Sequence, residues 1–195
     1  MGTVAEPSAG MPAIDVEDLA RRRKHLAESM PMWVPASIDQ RLDASARLWA
    51  DRTYLVFGER EHTYGDTVRR SRQIAARLSA AGVRKGTHVG LLMANSFDLY
   101  ATMYAIARLG AWSVPLNYFL APAELAYVVS HSQCSVVVVD PDVPGGSGID
   151  LLERTLAEIA ETGSGSASVS KILVTASGSL ARRSLKSQEN GLPRR

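Results

Sequence analysis

The residues of this 195-residue sequence most often used to move a proton, hold a metal or attack a carbonyl fall into no recognisable catalytic or metal-binding motif. His25, His62, His88 and His131 fall in different segments, and no Cys or His pair stands at metal-ligand spacing. Ser96 follows the apolar run "HVGLLM" as a nucleophile might, but it lacks the flanking glycines of a nucleophile elbow and suits a helix cap instead. "SGSASVSK" (164–171) sets Gly165 six residues before Lys171, as in a phosphate loop of the form S-G-[ST]-T-G-x-P-K. Ser168 and Ser170 replace the second glycine and the proline, and a strand rather than a helix follows the lysine, so no helix N-terminus faces a phosphate. Neither a G-x-G-x-x-G turn nor a Walker lysine motif is present. No residue is assigned a catalytic, cofactor-binding or metal-binding role on these grounds.

The segments that hold these residues have clear periods. Residues 1–14 are rich in Gly, Pro, Ala and Ser and have no face to bury, so residues 1–36 read as a disordered N-terminus with a short amphipathic helix. Ser37 with Gln40 forms a capping-box pattern ahead of a helix over 38–50. "TYLVFG" and "REHTY", parted by Gly58 and Glu59, read as a β-hairpin. Thr63 with Asp66 opens a second helix, whose inner face is Thr67, Ser71, Ile74, Ala75, Leu78 and Ala81 and whose stop is Gly82.

From about residue 87 the period alternates. "HVGLLM" is a strand, and Asn95 or Ser96 caps a helix over 97–109 that is apolar nearly all round and expects cover on several sides. Gly110 ends that helix, and "WSVPLN" is a strand in which Pro115 marks an edge or an exit, because proline cannot donate to a ladder. Pro122 opens a helix with Leu125, Val128 and Val129 inward, and "CSVVVVD" reads as a strand buried on both faces. Asp150 with Glu153 suggests the cap of a helix to about Thr162, the Gly/Ser-rich pieces at 144–148 and 163–168 read as loops, and "KILVT" is a further strand. The fold class is α/β: a doubly wound, largely parallel sheet preceded by a β-hairpin.

Charge narrows the functional classes. The net charge of +2 is concentrated in residues 178–195, which hold five Lys or Arg against one Glu and leave residues 1–177 at −2. The body therefore has no basic excess for gripping nucleic acid. The run "RRRK" at 21–24 reads as a solvated helix face. The single Cys134 makes no internal disulfide, no secretory signal is visible, and no stretch reaches eighteen consecutive apolar residues, so the expectation is a soluble, cytoplasmic chain without a transmembrane segment.

Several segments together resemble the N-terminal part of the adenylate-forming enzymes, which include acyl-CoA synthetases. They are "YLVFGEREHTYGD" (54–66), "LSAAGVRKGTHVGLLMANS" (78–96), "ARLGAWSVPLNYFLAPAELAYVVSHSQCSVVVVD" (107–140) and "KILVT" (171–175), in order over about 38–175. "VPLN" followed by "APAELAYVV" is the specific part. Thr67 stands where the family usually has leucine and Ala121 where a capping Thr is usual. The resemblance implies an incomplete N-terminal subdomain of the adenylate-forming fold over 37–177, followed by a polar basic tail over 178–195.

It also implies the chemistry of an AMP-forming acid:CoA ligase. In such enzymes ATP, Mg²⁺ and a carboxylic or fatty acid give an acyl-adenylate, and coenzyme A then takes the acyl group. The family's phosphate loop, Mg²⁺-binding acids and mobile C-terminal domain have no counterpart in these residues, so the expectation is a fragment that binds no cofactor and is inactive alone. Its apolar helix 97–109 and strand 134–139 would expose surface prone to self-association. A stand-alone nucleotide- or acyl-binding module and an interaction protein remain as alternative readings.

Overall fold

The computed structural model describes residues 15–30, 35–162, 169–176 and 179–183. Residues 1–36 and 37–195 form separate units. In the first, α1 (Val16–Ser29) is capped by Asp15, whose Oδ1 accepts from the N–H of Glu17 at 2.9 Å and of Asp18 at 3.2 Å, and none of its residues is buried. Arg21 and Arg22 pair with Asp18 on its surface, as a solvated face would.

The second unit is built on a sheet. Helix α2 (Ile38–Trp49) precedes the antiparallel hairpin β1 (Thr53–Phe57) and β2 (Arg60–Thr63), and α3 (Tyr64–Ala80) starts directly from it. Thr63 and Asp66 exchange the two bonds of a capping box, at 3.0 and 3.1 Å. Then β3 (His88–Leu92), α4 (Phe97–Arg108), β4 (Trp112–Pro115), α5 (Pro122–His131) and β5 (Val136–Val139) follow in the expected alternation. A two-residue pair, β6 (Asp142–Val143) and β7 (Gly146–Ser147), leads into α6 (Gly148–Thr162), and β8 (Lys171–Ala176) and β9 (Ser179–Arg183) complete the sheet. Its order is β4-β3-β5-β8-β9, parallel except for β9.

Two apolar layers enclose the sheet. Val89, Leu91, Val136, Val138 and Leu173 point to α3 and α4, while Leu92, Val137, Val139 and Ile172 point to α5 and α6. The alternation is the period-2 pleat of a strand covered on both sides. All four valines of β5 are buried, and Tyr100 is the one exposed residue of α4. The chain thus covers its own most apolar segments, and the expectation that strand 134–139 and helix 97–109 expose apolar surface is corrected.

The glycine and proline of "ARLGAWSVPLN" each have a geometric cause. Gly110 sits at φ +65°, a left-handed turn that ends α4 without a Cβ penalty and lets Ala111 N–H donate to Ile106 O at 3.1 Å. On β4, Trp112 N–H and Leu116 N–H donate inward to Thr87 O and Leu91 O, at 2.8 and 2.9 Å. Residue 115 therefore falls where an N–H would point off the open edge. Pro115 removes that donor at no cost to the ladder and blunts the edge against further pairing.

Two more expectations are corrected. Ser147, not Asp150, caps α6: its Oγ accepts from Asp150 N–H at 3.1 Å, and the helix starts at Gly148. Asp150 lies inside the first turn, where its charge complements the dipole, and the predicted loop at 144–148 contains β7. The tail predicted from 178 gives way at 179–183 to β9, paired from Ile172↔Arg183 to Ala176↔Ser179. An antiparallel edge strand needs backbone partners on one side only and accepts charged side chains, so composition does not reveal it. The predicted loop at 163–168 lies outside the described residues.

Candidate functional site

The chain moves from β3 outward to β4, then returns past β3 to β5. The connection leaving β3 runs to α4 on one face, and the one leaving β5 runs to α6 on the other. Their divergence opens a crevice beyond the carboxyl ends of adjacent parallel strands, the place where open α/β sheets hold ligands. The crevice measures about 1210 Å³ and is lined by the hairpin (Phe57, Arg60, His62), the start of α4 (Ser96, Phe97, Asp98), Asp140, Asp142 and Thr175.

Aromatic contacts hold the hairpin wall. His62 stacks on Phe97 with centroids 3.8 Å apart and planes within 2°, and Phe57 meets Tyr100 at 5.7 Å. Behind them Tyr54 stacks on Tyr64 at 4.4 Å and hydrogen-bonds the Tyr104 hydroxyl. Burial pushes the Tyr104 phenol well above its ordinary range, so it stays protonated.

The floor is polar and internally bonded. Ser96 Oγ accepts from Leu99 N–H at 3.2 Å and caps α4, which commits the hydroxyl to structure, as its sequence context suggests. Arg70 from α3 grips Asp98 through two bonds of 2.7 Å. Asp140 accepts from Ala94 N–H at 2.9 Å and from the Thr175 hydroxyl. Burial raises its carboxyl above the ordinary range, the bonds from Thr175 and Ala94 oppose this, and the charge of Asp98 adds to it. Asp140, Thr175 and the Arg70–Asp98 pair are absent from the sequence-based candidates. The available signal was an acid placed directly after a wholly apolar strand, where burial is enforced.

The histidines are not brought together. His25 lies on α1, His62 lines the crevice, and His131 stacks on Tyr127 at 5.4 Å on the outer face of α5. His88 stands at the opposite end of β3, where its Nδ1–H donates to Ser132 O at 2.6 Å. Lys171, the lysine of the rejected phosphate-loop pattern, donates from the start of β8 to Ala81 O, and Gly165 lies outside the described residues. Cys134 is buried, and burial raises its thiol above the ordinary range.

Mg²⁺ seeks oxygens in octahedral array, and among the described residues the crevice floor holds no preformed set of that kind: Asp98 is engaged by Arg70, and each Asp140 oxygen already accepts one bond. Among the described residues no group of three His, Cys, Asp or Glu could hold a metal ion, and no helix is long and apolar enough to cross a membrane.

Comparison with known proteins agrees with this architecture. An acetate–CoA ligase of Humulus lupulus is 27% identical over 133 residues, 68% of this chain and 22% of that protein. An indoleacetate–CoA ligase of Aromatoleum aromaticum is 33% identical over 118 residues, 60% of this chain and 23% of that protein. The chain thus spans about a fifth of the length of the curated relatives it matches. An anthranilate CoA ligase solved in complex with anthranoyl-AMP shares the fold, with TM-score 0.60 and 24% identity over 73% of this chain and 26% of that one. The profile of the AMP-binding enzymes matches residues 42–193, a span that includes β9 and passes the boundary expected at 177. Residues 42–193 make this chain a member of the AMP-binding enzyme family, the adenylate-forming ligases.

Proposed function

We propose that this chain forms the N-terminal part of an ATP-dependent acid:CoA ligase of the cytoplasm and that it does not complete the adenylation by itself. The observation that carries the reading is the family match over 42–193, which falls on the sheet and on the crevice beyond its strand ends. In this reading ATP and a carboxylic acid are the substrates and coenzyme A accepts the acyl group, the class of reaction named for the relatives. The chain's own contribution is one preformed wall: the His62–Phe97 stack supplies an apolar side, and the capped start of α4 with Asp98 and Asp140 supplies a polar floor. Charge developing on a transferring phosphate needs cations aimed at it, and Arg70 is already turned to Asp98.

The test is acid-dependent exchange of labelled pyrophosphate into ATP, with acetate and aromatic acids as substrates. The purified chain is expected to give no exchange above a heat-killed control, and measurable exchange overturns the inactivity. A second reading, a self-sufficient binding module, is favoured by the fact that the crevice is formed within this chain. Saturable thermal stabilisation by ATP, AMP or a fatty acid without exchange would select it.

A further inference from the structure

At the mouth of the crevice one residue, through its backbone and its side chain, joins the ends of three strands. Asp140 directly follows β5, and its backbone N–H donates to Leu92 O at the end of β3, at 3.0 Å. Its Oδ2 accepts from Ala94 N–H at 2.9 Å, and its Oδ1 accepts from the hydroxyl of Thr175 on β8. Ala94 lies two residues before Ser96, the cap of α4, so these bonds fix the direction in which the chain leaves β3.

The charges around Asp140 are mostly acidic or already engaged. Asp98 from α4 and Asp142 from β6 are acids, Arg70 from α3 makes two bonds to Asp98, His62 from β2 is stacked on Phe97, and Arg60 of β2 lines the same crevice from an exposed position. A half-buried carboxylate that takes no bond from a cation among the described residues costs stability. What it supplies is two acceptors on a short stem, which satisfy one donor from the segment that leaves β3 and one from β8.

We infer that Asp140 is the positioning residue of the crevice: it sets the 94–96 turn, and through it the first turn of α4, against the ends of β5 and β8. This rests on the second reading above, in which the crevice of this chain by itself meets a ligand. The groups that such a ligand meets, the Ser96-capped helix start and Asp98, are thereby placed before binding, which lowers the ordering cost of association.

The test uses the 195-residue chain, with amide exchange and backbone NMR as readouts and AMP as the probe. In Asp140→Ala the Ala94 amide should lose at least tenfold in protection while Leu91 and Val138, in mid-strand, keep theirs. Asp140→Asn should restore it, because the amide oxygen accepts from Ala94 and the Thr175 hydroxyl can turn to accept from the amide nitrogen. In the parent chain the Ala94 amide resonance should follow a titration above the ordinary carboxylate range, and that titration should vanish in Asp140→Asn. Thr175→Val should move it further up, since a bond to the ionised form is lost.

AMP should shift residues 95–98 in the parent chain, at least tenfold more weakly in Asp140→Ala and near the parent level in Asp140→Asn. Full protection of Ala94 in Asp140→Ala, an Asn variant as impaired as the Ala one, or a titration that survives in Asp140→Asn each overturns the assignment. If Asp140→Ala does not fold, the Asn and Val variants decide by their titrations alone. Absence of any AMP-induced shift in the parent chain overturns the nucleotide-facing role of the crevice, and the exchange and titration results still judge the positioning.

Discussion

Asp43 on α2 and Asp140 after β5 are both carboxylates drawn partly out of water, and their surroundings act on them in opposite directions. Asp43 takes bonds of 2.5 and 2.9 Å from Arg108 and one of 3.3 Å from Arg72, and the Arg108 bond above all holds its carboxyl below the ordinary range. Arg108 also donates to Ser71 Oγ at 3.0 Å, so one guanidinium ties α2, α3 and α4 together. Among the described residues Asp140 has neutral donors only, and burial raises it. The helical face is joined by compensated charge, whereas the mouth of the sheet keeps an uncompensated one. Such a mismatch at a crevice is what a site under functional demand shows.

The largest effect expected from this contrast is on the helical face. Arg108→Ala leaves Asp43 with Arg72 alone and should cost about 2–3 kcal/mol, below the full range for breaking a buried pair because both partners keep some solvent contact. Arg108→Lys should recover less than half of it, since an ammonium cannot span both Asp43 oxygens and Ser71. Urea denaturation at neutral pH measures both. A loss under about 0.5 kcal/mol for Arg108→Ala, the level of an exposed pair, would erase the distinction between the two regions.

The helical face and the parallel sheet were legible in the sequence because each depends on local period. Thr67, Ser71, Ile74, Ala75 and Leu78 recur at helical spacing and are all buried, and the unbroken "VVVV" after Cys134 is buried on both faces. The family, too, was legible, through segments whose order and spacing the profile match supports. The mouth was not. Asp140 and Thr175 lie 35 positions apart and meet only because β5 and β8 are neighbours. Ser147 and Asp150 both carry cap-forming side chains within one short stretch, so spacing alone could not choose between them. The backbone chooses: a Cβ on Gly148 would stand 2.3 Å from Asp140 O, so the chain passes there with no side chain and enters α6 early.

That choice gives a smaller test at the mouth. Ser147→Ala removes the acceptor for Asp150 N–H and should cost about 1 kcal/mol, the usual value of an N-cap. Asp150→Ala loses only a first-turn charge and should cost under about 0.5 kcal/mol. Thermal and urea midpoints of the two variants give the order. The reverse order would return the cap to Asp150 and detach the start of α6 from the geometry of the β5 end.

The smallest expected effect is also the one that sets the two carboxylates side by side, because it is read from slopes against pH. Asp43 titrates lower in the folded chain than in the unfolded one, so its contribution is fully present above the unfolded value near pH 4 and is lost as pH falls through the folded value. Asp140 titrates higher in the folded chain. Between the unfolded value and its own raised one the folded state binds the extra proton, so stability falls as pH rises through that window. The parent chain should therefore be destabilised on both sides of a maximum in the mildly acidic range, with Asp43 contributing on the acidic side and Asp140 on the other. Asp43→Asn should make the acidic side shallower, at a lower overall stability, and leave the other unchanged; the slope that remains is that of Asp66, whose carboxyl the Thr63 N–H holds below its ordinary range. Asp140→Asn should flatten the descent above about pH 4 and leave the acidic side unchanged. Urea denaturation between about pH 2.5 and pH 8 resolves the two limbs, since they begin on either side of the unfolded carboxylate value. An Asp140→Asn curve that runs parallel to the parent above pH 4 would mean that water or a cation reaches the crevice floor, and the contrast between the two regions would then rest on the helical face alone.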